Sequence, residues 1–316
     1  MFDSPTGTAK LTVRSLAPNV FAALADLAQQ HDRSLEAEAR QALRVWVQPQ
    51  LERAGAVARA RLVGQRLSYL LAEAAQLSPG RTVTVSKVAE WAGYSHGGEL
   101  EEWFAGEVEP SFADLDRLAA VFGCARAWLV HGEGQPYRCE YARIPEQPSA
   151  AVEFLLRPPI TGDAPPEILL LRSTAPAGDF AFVRRYSELS AQSFRTPYRL
   201  SAEVGGGGQS SQAWLALGLQ ALYLAFTARP EVQVKGYLVD EAVFNAVLEG
   251  RKHPLNALDD RRASSSTWWE DIGDAAQGGR GRYWEGWEEL VARIQSHISS
   301  SRVMSESRAQ LQAEPV

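Results

Sequence analysis

The chain predicts a multidomain protein with a mainly α N-terminal half and an α+β C-terminal domain. Three observations predict it. Apolar residues at helical spacing dominate residues 18–129, after one short alternating stretch near the start. Residues 138–166 then gather prolines, including Pro145, Pro148, Pro158, Pro159, Pro165 and Pro166. Beyond them, runs of strand character alternate with helical ones. A chain of 316 residues, 45% hydrophobic and 22% charged, has the material for more than one core and is not disordered throughout. Its formal charge of −6 excludes bulk attraction to nucleic acid or anionic lipid, so any such contact must come from a local patch.

The first eight residues carry an acid and no apolar run, so they are expected to be a disordered N-terminus, not a signal peptide. Residues 9–15 alternate, with Lys10, Thr12 and Arg14 on one face and Leu11 and Val13 on the other, which predicts a short strand. Pro18 suits a first helical position, and Phe21, Leu24, Leu27 and Ala28 continue a helix that breaks near His31 and Asp32. Ser34 is the next N-cap. Glu36 and Glu38 follow in a first turn where the helix dipole favours acids, and Leu35, Ala39, Ala42, Leu43 and Trp46 supply an apolar face that is expected to end before Pro49. Such a unit, residues 9–49, has one lone strand whose backbone needs a partner, so dimerisation is expected.

The stretch KLTVRSLAPNVFAALADLAQQHDRSLEAEARQALRVWV, residues 10–47, resembles the ribbon-helix-helix DNA-binding proteins of the Arc and MetJ type, especially the short antitoxins. The LTVRSL strand and the RSLEAEAR helix start carry the likeness. It implies a homodimer, or a dimer of dimers, whose paired strands enter the major groove of double-stranded DNA. On that carry-over Lys10, Thr12 and Arg14 read base edges, for which Arg and Lys are well suited. Arg33 and the helix start at Ser34 and Leu35 hold phosphate, because a helix N-terminus attracts anions. The alternative is a plain amphipathic strand-helix-helix edge with solvated cations.

Residues 50–77 read as an Ala-rich linker helix carrying Arg53, Arg59, Arg61 and Arg66, which either track phosphate beside the ribbon or form a solvated face. The segments VSKVAEWAG, SHGGELEEWFAG, SFADLDRLAAVFG and ARAWL then read as short helices punctuated by Gly93, Gly106 and Gly123. This module, within residues 50–137, resembles the Cro and lambda-repressor type of helix-turn-helix, with Ala89 at the small position, Gly93 at the turn, and Leu100 and Trp103 facing inward. Yet the helix that would read DNA carries Glu99, Glu101 and Glu102, Glu107 and Glu109 follow, and no Lys or Arg stands between Trp91 and Leu115. Packing or oligomerisation is therefore the expected role, with Ser95 and His96 as secondary DNA contacts.

Residues 138–166 read as a linker with a short strand at 152–156. Strands are expected at 168–172, 181–186, 198–202 and 232–239, and helices at 211–227, 241–249 and 283–297, forming an α+β effector or oligomerisation domain over residues 167–298. Residues 261–267 and 273–281 look mobile, and 299–316 looks like a disordered tail. Gly205 to Gly208 are the one phosphate-cradle candidate, but no Gly-Lys-Ser/Thr follows and a flexible strand-to-helix turn is the better explanation. Trp268, Trp269, Trp284 and Trp287 are read as core first, with a ligand pocket or a partner surface as the alternatives.

Cys124 and Cys139 are too few for a disulfide framework, and the five histidines have no metal-ligand spacing, so neither metal nor other cofactor is expected. Ser264, Ser265 and Ser266 lack the glycines of a nucleophile elbow, and nothing points to an enzyme. The most apolar window, residues 213–226, is too short to span a bilayer, so no membrane partner is expected and the cytoplasm is the expected location. The function expected is a sequence-specific DNA-binding transcriptional regulator, a repressor, acting as a homo-oligomer with a small-molecule or protein effector at the C-terminal domain. An antitoxin-like or anti-regulator protein and a plasmid or phage DNA-organising protein are the alternatives.

Overall fold

A computed structural model describes residues 11–77, 82–159, 163–203, 205–259, 262–273 and 282–313. The chain forms two compact units, Met1–Arg59 and Ala60–Val316.

In the first unit, residues 11–17 are irregular and exposed. They lead into α1, Pro18–Gln30, which carries its proline in the first turn as expected. Then comes α2, Leu35–Leu77, whose residues up to 59 belong to this unit. The expected break at Pro49 does not occur. A proline inside a helix deletes one backbone hydrogen bond and crowds the preceding turn, a local cost that the alanine-rich helix formers after it outweigh.

The second unit begins with residues 60–77 of α2 and a ring of short helices: α3, Val85–Trp91; α4, Gly98–Ala105; α5, Phe112–Phe122; and α6, Arg126–His131. Thr84 caps α3 and Ser111 caps α5 through their side chains, and Gly106, Gly123 and Gly132 end α4, α5 and α6 in the left-handed conformation. The core of this bundle is Val63, Leu67 and Leu70 of α2 against Val88, Ala89, Leu100, Leu118 and Leu129. Helices α2 and α4 cross so closely that a Cβ on Gly64 would lie 2.7 Å from Gly106 Cα.

The chain continues through β1, Cys139–Tyr141; α7, Pro148–Leu155; β2, Glu167–Ser173; β3, Asp179–Arg185; β4, Ala191–Arg199; α8, Gly206–Ala228; β5, Val234–Val239; α9, Glu241–Glu249; α10, Pro254–Leu258; β6, Ala263–Ser265; α11, Trp268–Asp271; α12, Trp287–Ser300; and α13, Arg302–Ala313. The strands form one mixed six-stranded sheet in the order β1-β4-β3-β2-β5-β6. β2 pairs antiparallel with β3 and parallel with β5, while β1 lies parallel to β4. Ile168, Leu170, Phe180, Phe182 and Phe194 face a core built on α7, α8 and α12. Leu169, Leu171, Ala181 and Val183 face a second core under α9 and α10. A strand covered on both faces reads as a continuous apolar run, which is why ILLL in β2 is legible.

Several expectations need correction. Residues 138–166 are not simply a linker, because β1 joins the sheet and α7 buries Ala151, Val152 and Leu155; the strand expected at 152–156 is helix. Pro148 opens α7 and does not break it. The fourth strand is Ala191–Arg199, earlier than 198–202; its pairing with β3 shifts register between Asp179 and Ala181, an irregularity that accommodates Pro197. Within 261–267, Ala263–Ser265 is a strand hydrogen-bonded to β5. Of 273–281, residues 274–281 lie outside those described, as do residues 1–8. The tail at 299–316 is not disordered over α13, where Met304 and Leu311 are buried in the core. Nor does a boundary at 137/138 or 166/167 divide the chain, since everything from Ala60 onward is one unit.

A seam of polar contacts joins bundle and sheet within this unit. The Glu73 carboxylate, 6% exposed, accepts from the His253 backbone N–H at 2.9 Å and from Asn256 Nδ2 at 3.1 Å. His253 Nε2 donates to the Leu189 carbonyl at 3.0 Å, leaving Nδ1 to accept from the Leu255 N–H at 3.3 Å. Acceptance at Nδ1 requires a neutral imidazole, and burial pushes the His253 pKa down from 6.5 to about 4.

Two predictions follow from this packing. Gly64→Ala forces backbone against backbone and should cost about 1–3 kcal/mol in denaturant unfolding. The unfolded chain protonates His253 below its ordinary value and the folded chain only near pH 4, so stability is complete above pH 6.5 and falls between 6.5 and 4. That loss, roughly 3 kcal/mol, should vanish from the pH profile of His253→Gln.

Candidate nucleic-acid interface

The turn between α1 and α2 is built locally. Asp32 takes a left-handed φ of 52°, the His31 N–H donates to the Leu27 carbonyl and the Arg33 N–H to the Ala28 carbonyl, both at 2.9 Å. The Ser34 hydroxyl accepts from the Ala37 N–H at 3.2 Å and so caps α2. Its first turn holds two carboxylates with different fates. Glu36 is exposed and faces Arg40 at 3.8 Å, whereas Glu38 is buried and meets His31 Nδ1 at 2.9 Å and Arg33 Nη1 at 3.4 Å. Arg33, expected at phosphate, is thus already engaged with Glu38, with about half of its side chain, 47%, still exposed. Ser34 and Leu35 stand at the helix start as read, where backbone N–H groups point outward.

Thr12 and Arg14 are exposed in residues 11–17, and Ser15 beside them has a φ of 59°. Lys10 lies outside the described residues. No strand forms at residues 11–15, because the hydrogen-bonding partner that a lone edge needs is not supplied by this chain. Among described side chains of the first unit only Ala28 and Glu38 are buried. Leu11 at 70%, Val13 at 57%, Phe21 at 51% and Trp46 at 76% all stand exposed. Of the apolar faces read from the sequence, Ala28 is buried and Leu24, Leu35 and Ala39 are partly covered, while the larger side chains Leu11, Val13, Phe21, Leu27, Leu43 and Trp46 stand exposed.

In the second unit, Ser95 and His96 are exposed in the turn between α3 and α4, with Gly93 at a φ of 78° and Ala89 buried beneath. Leu100 and Trp103 face inward, as read. Tyr94 in that turn donates to Asp114 at 2.7 Å, and Asp114 also accepts from its N-cap, Ser111, at 2.5 Å. The Ser111 hydrogen bond holds the Asp114 carboxyl below the usual range, and burial pushes the Tyr94 hydroxyl up to about 12. Glu99, Glu101, Glu102, Glu107 and Glu109 are exposed along and after α4. Nearby cations are committed elsewhere. Lys87 reaches the Thr82 carbonyl at 2.8 Å, and Arg66 caps α6 through the Leu129 and Val130 carbonyls at 3.0 and 3.2 Å. Arg66 is therefore a helix cap and not a phosphate tracker; Arg59 and Arg61 are exposed, and the Arg53 side chain lies outside those described.

The remaining candidates resolve into structure. Gly206 to Gly208 form the first turn of the 23-residue α8, with the Gly208 and Gln209 N–H groups donating to the Gly205 carbonyl. Trp268, Trp269 and Trp287 are fully buried core, and Trp284 packs at their edge beneath the Arg172 guanidinium, 3.9 Å from the ring centre. Sequence reasoning missed Arg172 and Arg184, both buried and held by backbone carbonyls instead of carboxylates. Burial pushes the Cys124 thiol up to about 12, away from nucleophilic use. Among the described residues no group of three or more His, Cys, Asp or Glu side chains is placed to hold a metal ion, and no helix is long and apolar enough to cross a membrane.

Residues 9–47 match the family model described as antitoxin FitA-like, ribbon-helix-helix, in agreement with the resemblance carried by residues 10–47. No curated protein and no solved structure matches the chain.

Removing the cap tests the local reading. Ser34→Ala should cost about 1 kcal/mol of stability and speed amide exchange in the first turn of α2, measured by hydrogen exchange on the intact chain.

Proposed function

We propose that this protein is a sequence-specific DNA-binding regulator, a repressor, that acts as a homodimer or dimer of dimers. Residues 9–15 of two copies pair into an antiparallel ribbon in the major groove. Lys10, Thr12 and Arg14 read bases, while Arg33 and the α2 start at Ser34 and Leu35 hold the backbone. The observation that carries this reading is the uncovered apolar surface of the first unit, Leu11, Val13, Phe21 and Trp46, lying in the segment that matches the ribbon-helix-helix family. A unit that buries so little alone acquires its core by pairing. No catalytic step or cofactor is part of the proposal, and the site of action is the cytoplasm.

The second unit serves as an effector or oligomerisation body. Its α3 to α6 ring supports the Cro-like reading of the helices, but the exposed carboxylates of α4 favour packing over groove entry, because carboxylates repel phosphate. Ser95 and His96 are at most secondary contacts. The family description favours a second reading, an antitoxin whose main work is holding another protein while the ribbon autoregulates. A toxin co-purifying from the native host in fixed ratio would promote that reading above the first.

Selection of bound sequences from random duplex DNA tests the ribbon. The intact chain should enrich an inverted repeat, Arg14→Ala should lose about 1–3 kcal/mol of discrimination at one base pair while remaining dimeric, and a chain lacking residues 1–48 should enrich nothing. Enrichment that survives the deletion would overturn the proposal. Charge reversal at Glu101 should leave operator affinity nearly unchanged, read by titration at fixed salt.

A further inference from the structure

We draw no further inference here: the strongest candidate, the cavity of about 290 Å³ in the second unit between Trp91 at the end of α3, Ala120 and Val121 of α5 and the turn at Ser187 to Leu189, is an apolar groove, and nothing in the structure shows what covers it.

Discussion

The buried carboxylate of Glu73 is the constraint on which the second unit depends. A charge removed from water is tolerable only when donors surround it, and the donors here come from the His253 backbone and the Asn256 amide, about 180 positions away in the chain. Satisfying Glu73 fixes the loop before α10, which sets His253 over the Leu189 carbonyl, and Leu189 in turn closes the core of the helical bundle. Tyr69 adds a hydrogen bond to the Arg251 carbonyl at 2.6 Å, and the Tyr137 N–H donates to the Gly250 carbonyl at 3.0 Å. Glu73, with Tyr69 and Tyr137 beside it, thereby ties the bundle to the sheet.

The first unit obeys the opposite logic. It has well-specified local structure, with a proline-led α1, a left-handed turn at Asp32 and a capped α2, yet it buries almost nothing. Local hydrogen bonds hold its helices without supplying a core. Glu38, pinned between His31 and Arg33, is its main interior polar group and braces the turn that presents Ser34 and Leu35. A segment so ordered locally and so poor in core directs its apolar residues outward, which is the physical basis for reading it as half of a pair.

Much of this was legible in the residues. Ser34 caps α2 where its position before an apolar run says it should, α9 spans the residues its periodicity marks, and Gly93, Gly106 and Gly123 take positive φ where helices stop. The ribbon residues read less fully: Thr12 and Arg14 are exposed, but the strand itself needs backbone partners that no alternation in one chain supplies. Arg33 and Arg66 show why a cation in a sequence is a poor guide to a phosphate site. One is spent on Glu38 and the other on the end of α6.

What the sequence by itself determined is the starts of α1 and α2, the span of α9, the glycine stops of α4 and α5 and the two-sided burial of β2, because each rests on contacts within a few residues or on one uninterrupted apolar run. Only the tertiary structure decided that the proline-rich stretch contributes β1 and α7, that the serine run contributes β6, that α2 passes through Pro49, and that Arg185, Glu167 and Lys235 meet. These depend on partners far away along the chain. Pairing of that kind leaves no periodic trace in either segment alone.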